Sequence, residues 1–178
     1  MHEVSVQYME TIGFDDLDDE LLINKFSRLQ MIDFSCRMNF DECLSKMNAQ
    51  LVSYLDDGVK LPVNLEASIF CYGLMASASV NELKYFTQIW LEMQGSQDTE
   101  YRLKIIDAMG CYADENALYD YMETITAVEN SVRYRQYEYI EVLQSAYSKT
   151  REGIGAVIRF LTRYSGTAAT RTRTPNLI

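Results

Sequence analysis

A chain of 178 residues, 48% apolar and 24% charged, has the composition of a folded globular protein and the length for one well-buried domain rather than two. Its formal net charge of −10 excludes a general nucleic-acid binder, because nothing balances phosphate repulsion. Eight glycines and two prolines leave strands and turns little of their usual punctuation, which predicts an all-α fold.

The amino end, Met1 to Ser5, lacks the basic and apolar regions of a signal peptide. No apolar run reaches the roughly 18–20 residues of a membrane span, and the polar carboxyl end lacks the hydrophobic tail of a lipid-anchor signal. No direct membrane segment is therefore expected.

The first predicted helix carries Leu21, Leu22, Phe26, Leu29, Ile32 and Cys36 in one apolar stripe. The acidic cluster Asp15, Asp16, Asp18, Asp19 and Glu20 before it suits the positive end of a helix dipole. A second helix starts near Asp41, carries Leu44, Met47, Leu51 and Leu55, and ends before Asp57-Gly58. Gly58 and Pro62 mark the clearest loop. From Leu65 the pattern resumes with Ile69, Tyr72 and Met75 and breaks at Ser77-Ala78. Ser79-Val80-Asn81-Glu82 reads as a capping box opening a helix with Leu83, Phe86, Ile89, Trp90 and Met93. Further helices are predicted over residues 99–110, 114–127, 131–146 and 150–164.

Three of these segments echo one another at a spacing of about 35 residues, the period of stacked helix pairs. Ser79, Leu83, Phe86 and Trp90 align with Asp114, Leu118, Tyr121 and Ile125, and then with Thr150, Ile154, Val157 and Leu161. The tetratricopeptide and ankyrin patterns are absent. The expected architecture is therefore an irregular HEAT-like array of antiparallel helical repeats, an α-solenoid, truncated in this chain. Residues 8–164 would form the domain and residues 165–178, without apolar periodicity, a disordered tail.

Four cysteines, Cys36, Cys43, Cys71 and Cys111, punctuate this helical pattern. An even count is what a disulfide-stapled domain of the secretory pathway shows. Seven residues of straight helix rise about 10.5 Å, too far for a disulfide, so Cys36 and Cys43 bond only if the chain reverses between them. Asn39 and Asp41 suit a helix stop and a following N-cap. Four buried thiols acting as small hydrophobes are the alternative. Zinc is not expected here, since neither CxxC spacing nor a partnering histidine is present.

The same residues carry a family resemblance. Residues 29–44, LQMIDFSCRMNFDECL, resemble a helical hairpin of the aminopeptidase N-type zinc metallopeptidases. Residues 62–72, PVNLEASIFCY, resemble that family's P-x-(D/N)-L-R-x-x-(V/I)-(Y/F)-C stretch. Glu82-Leu83-Lys84-Tyr85-Phe86 with Trp90 stand where the family has a tryptophan- and phenylalanine-rich helix. Ile106 to Cys111 are similar to L-x-A-L-(G/A)-C, and Leu118 to Met122 to L-L-x-R-Y-L. The resemblance covers the C-terminal, ER-aminopeptidase-like helical domain alone, from about Tyr8 to Tyr164. It implies the disulfides Cys36–Cys43 and Cys71–Cys111, an extracellular or cell-surface setting, and a HEAT-like array forming the wall of a peptide cavity. The partners it implies are peptide and the catalytic domain of a parent enzyme. Arg135 and Gln136 match a family segment that faces this cavity, with Tyr137 replacing its acidic residue.

The catalytic machinery of that family has no counterpart here. His2 is the single histidine, so no H-E-x-x-H zinc helix exists, and G-x-M-E-N is absent. Ser/His/Asp and Cys/His catalysis would both rest on His2 at the terminus. No catalytic residue and no cofactor is assigned to this chain; zinc belongs to the intact relative. The expected role is a non-catalytic C-terminal portion of an aminopeptidase. A stand-alone helical-repeat module that binds peptide or protein through Tyr134, Tyr137 and Tyr139 is the second expectation.

Overall fold

Eight α-helices and no strand make up the regular structure of the described residues, which in this computed structural model are 11, 13–15, 20–79, 83–126 and 134–171. In chain order they are α1 (Leu22–Arg37), α2 (Asp41–Asp57), α3 (Glu66–Ser79), α4 (Leu83–Gly95), α5 (Thr99–Met109), α6 (Glu115–Thr126), α7 (Glu138–Lys149) and α8 (Arg151–Arg171). The all-α expectation holds.

The helix ends follow local chemistry. Asn39 takes the left-handed conformation (φ 57°) that stops α1. Phe40 then precedes α2, so Asp41 is the first helical residue and not the cap. Gly58 (φ 70°) closes α2, its N–H donating to the Tyr54 carbonyl at 3.1 Å. Asp98 caps α5 by accepting from the N–H groups of Glu100 and Tyr101 at 2.9 and 3.2 Å. Asp114 accepts from Ala117 N–H at 2.8 Å and Thr150 from Gly153 N–H at 3.0 Å, so two caps of the 35-residue echo act as caps. The capping box at residues 79–82 lies outside the described residues.

Most helices pack on the next in the chain, on the next but one, or on both. α1, α3, α5 and α7 adjoin in succession, α2 packs on α4, and α6 packs on α8. α3 lies among α1, α2, α4 and α5, and it is accordingly apolar on every side: Ile69, Phe70, Tyr72, Leu74 and Ala78 are all buried. Gly73 lets α3 approach α2 closely, since a Cβ there would lie 2.7 Å from Leu51 Cβ.

Several expectations about the helices differ from the structure. Leu21, Leu22 and Phe26 are exposed, and α1 instead buries Arg28, Ile32, Ser35 and Cys36. Arg28 is held by both Glu20 carboxylate oxygens at 2.5 Å, with its Nε donating to the Gly13 carbonyl at 3.2 Å. Glu20 thus serves this ion pair. The break at Ser77-Ala78 does not occur, because α3 runs on to Ser79 with Ser77 buried. Its hydroxyl donates to the Gly73 carbonyl at 2.9 Å and accepts from Asn48 Nδ2 at 2.8 Å.

The helix predicted over residues 131–146 begins only at Glu138. Residues 131–133 lie outside the described residues, and 134–137 form a turn around the buried Tyr134. In α8 the buried face is Gly153, Ala156, Val157 and Phe160, which leaves Ile154 and Leu161 exposed. The rotation follows from Gly153, which lies against the Ala146 backbone. α8 also continues past Tyr164 to Arg171, so part of the segment expected as tail is helical, and residues 172–178 lie outside the described residues.

Candidate functional site

The turn before α7 brings Arg135 and Gln136 to the surface over a buried ion pair. Arg102 on α5 donates through Nε and Nη2 to the two carboxylate oxygens of Glu138, each at 2.7 Å, and through Nη1 to the Met93 carbonyl at 2.6 Å. Glu138 also accepts from the Arg135 N–H at 2.8 Å, which fixes the turn. Burial pushes the Glu138 carboxyl up, but the bonds from Arg102 and Arg135 outweigh it, and the group titrates below its ordinary range. The Arg102 guanidinium is held above its own, first by the hydrogen bond to Glu138.

Arg135 itself is not loose. Its guanidinium donates to the Gln97 carbonyl at 2.9 Å, to the Tyr137 hydroxyl at 3.0 Å and to Thr99 Oγ1. These bonds tie the turn to the α4–α5 connection. Gln136 is exposed. The sequence-derived pair is therefore adjacent at the surface, with Arg135 oriented and Gln136 open to solvent.

A second feature is a cleft of about 180 Å³ across α1, α3, α5 and α7. One side carries Asp33, Arg37 and Tyr72, where Arg37 Nε lies 3.1 Å from Asp33 and 3.3 Å from the Tyr72 hydroxyl, which donates to Asp33. The Tyr72 phenol is pushed up to about 12, by burial first and then by that hydrogen bond. The opposite side carries the Lys149–Asp107 pair at 2.8 Å. The bonded cysteines Cys71 and Cys111 line the same cleft.

Both cysteine pairs are joined: Cys36 with Cys43 (Cα–Cα 5.3 Å) and Cys71 with Cys111 (5.2 Å). The first pins the α1–α2 corner. The second ties α3 to the turn after α5.

A third feature is a largely apolar groove of about 200 Å³ between α4 and α6, lined by Leu83, Phe86, Trp90 and Tyr121. Phe86 and Tyr121 stack edge to face at 5.7 Å across it. Of the tyrosines expected to serve a stand-alone binding surface, Tyr134 is buried, its hydroxyl accepting from Trp90 Nε1 at 2.8 Å, and Tyr139 is half-buried. Tyr137 alone of the three is exposed.

The described residues present no set of side chains suited to a zinc centre. All four thiols are committed to disulfides, the single histidine, His2, lies outside the described residues, and no group of three metal-ligating side chains forms among the described residues. No described helix is long and apolar enough to cross a membrane.

Sequence reading missed the Arg102–Glu138 pair. Its signal was present: Arg102 shares the phase of Ile105, Ile106 and Met109, and Glu138 that of Val142, Ser145 and Ala146. A charge at a core-phase position in two helices is a mark of buried pairing.

The chain is 20% identical over 153 residues to aminopeptidase N of Plutella xylostella, covering 85% of this chain and 16% of that protein. It is 20% identical over 122 residues to membrane alanyl aminopeptidase of Manduca sexta, covering 68% of this chain and 12% of the relative. To human glutamyl aminopeptidase it is 25% identical over 91 residues, 51% of this chain and 9% of that protein. The chain thus spans only a small part of the length of these relatives. The family described as ERAP1-like C-terminal domain matches over residues 2–178. With an all-helical fold, two disulfides and a match across nearly its whole length, the chain belongs to the ERAP1-like C-terminal domain family.

Proposed function

We propose that this chain serves as the non-catalytic, HEAT-like helical wall of an aminopeptidase N-like enzyme, packing against the catalytic domain and bounding its peptide cavity. The match over residues 2–178 to a C-terminal domain family of aminopeptidases carries this reading. The succession of α1, α3, α5 and α7, with α2 packed on α4 and α6 on α8, supports a solenoid-like array. In this reading Arg135 and Gln136 face the cavity. The bonds from Arg135 to Gln97 and Thr99 would hold its charge in place before a peptide arrives. Two disulfides and the relative named a membrane alanyl aminopeptidase support an extracellular or cell-surface setting.

The test is direct. The purified chain, supplied with zinc, is assayed on alanyl and glutamyl chromogenic substrates, and no product release is expected. Zinc-dependent release would defeat the proposal. For the wall, grafting the chain in place of the C-terminal domain of an active relative should preserve activity, and Arg135→Ala in that chimera should change KM for longer peptides more than kcat. An unchanged KM across peptide lengths would remove Arg135 from the cavity.

A further inference from the structure

The two disulfides differ in what can reach them. Cys36 and Cys43 are 0% and 1% exposed and sit inside the α1–α2 corner. Cys111 is equally buried, but Cys71 is only partly buried, and the Cys71–Cys111 bond lines the cleft between the Arg37–Asp33 and Lys149–Asp107 pairs. Disulfide exchange begins with a thiolate reaching one sulfur, so access decides which bond reacts. In this cleft both carboxylates are matched by a cation, Asp33 by Arg37 and Asp107 by Lys149, and an incoming anion meets no unpaired negative charge.

We propose that Cys71–Cys111 is a thiol-exchange site, at which a small anionic thiol of the glutathione class forms a mixed disulfide on Cys71 while Cys36–Cys43 stays closed. The thiol loses its proton to solvent, and its sulfur attacks Cys71 Sγ. The new S–S bond forms as the old one breaks, its electron pair leaving on Cys111 Sγ, which takes up a proton. A second thiolate attacking the adduct sulfur returns Cys71 as a thiol and releases the oxidised thiol dimer. The helices joined by the bond keep other links: Glu66 on α3 pairs with Lys104 on α5, and Phe70 meets Tyr101 edge to face at 6.3 Å. Exchange should therefore modify the folded protein without unfolding it.

The experiment treats the folded chain with reduced glutathione, traps free thiols by alkylation, and maps the products by peptide mass spectrometry with circular dichroism alongside. Glutathione is expected on Cys71, with Cys71–Cys111 opening at least roughly tenfold faster than Cys36–Cys43 while helicity is retained. In guanidinium the two bonds should open at similar rates. Joint opening of both bonds at the rate of unfolding, or earlier opening of Cys36–Cys43, would overturn the proposal. So would an adduct confined to Cys111. The variant Arg37→Gln/Lys149→Gln should slow glutathione several-fold relative to the neutral 2-mercaptoethanol; an unchanged ratio would rule out the cleft as the route.

Discussion

Arg102 on α5 and Glu138 on α7 meet as a buried, two-pronged ion pair, Nε to Oε1 and Nη2 to Oε2 both at 2.7 Å. The pair joins two adjoining helices and, through the Arg135 N–H, holds the turn that displays Arg135 and Gln136. Glu138→Ala leaves a guanidinium buried without its counter-ion, which costs about 3–5 kcal/mol. Urea unfolding should show that loss, and a change below about 1 kcal/mol would contradict it.

The same carboxylate gives a pH signature. Glu138 titrates below its ordinary value of 4.5, so its contribution is complete above that value and disappears as pH falls through the folded value. The stability difference between the parent chain and Glu138→Gln should be constant above about pH 5 and shrink at lower pH. Urea melts across that range check it; a gap that widens on acidification would reverse the sign.

Two glycines set how closely the last helices approach. A Cβ on Gly153 would lie 1.8 Å from the Ala146 carbonyl oxygen, and one on Gly110 would lie 2.2 Å from that of Ser145. Both obstacles are backbone of α7, which cannot swing aside as a side chain does. Gly153→Ala and Gly110→Ala should each lower stability by more than about 2 kcal/mol. Gly95, with nothing within 4 Å, provides the contrast. At this helical position Gly95→Ala should raise stability by about 0.5–1 kcal/mol. Thermal melts of the three variants should move in opposite directions.

Tyrosine titration offers an alkaline test. Of thirteen tyrosines, Tyr54, Tyr72, Tyr101, Tyr121 and Tyr134 are held above their ordinary value of 10, with burial the first cause in each. A raised folded value means stability that is complete below the unfolded value and lost as pH climbs through the folded one, about 12 for Tyr72. Ultraviolet titration should show these five tyrosines ionising only as the helices melt. In Tyr72→Phe the stability lost between about pH 10 and 12 should be smaller. A single normal titration of all tyrosines would contradict this.

The two disulfides should rank by loop length. They close sequence separations of 7 and 40 residues. In the chain-entropy model, replacing both members by serine costs about 2–3 kcal/mol for Cys36–Cys43 and about 4 kcal/mol for Cys71–Cys111. Urea unfolding of the two double variants tests the order.

Much of the fold was legible along the chain. α2 begins at Asp41 as predicted and runs through Asp57, one residue past its predicted end, to the Gly58 cap, and α5 matches its predicted span to within a residue. Asp114 and Thr150 cap the helices whose patterns they open. These are local matters, decided by residues three or four apart. Misreadings came where distant chain decided the outcome. Small residues such as Ser77 looked like a break, yet Asn48 on α2 donates to its hydroxyl and the helix continues. Tyr134 looked like a surface aromatic, yet it is buried, its hydroxyl accepting from Trp90 Nε1 and paired with the Thr124 hydroxyl.

By itself, then, the sequence determined the helical class, most helix boundaries and, through the resemblance, the family to which the cysteines and their neighbours belong. Only the tertiary structure decided which face of α1 and α8 turns inward, that Arg28 finds Glu20, that Arg102 finds Glu138, and that one disulfide lies open to a cleft while the other is sealed. The physical reason is common to all four. Helical periodicity is a short-range property, whereas burial of a charge or access to a sulfur depends on which segment outside the helix comes to cover it.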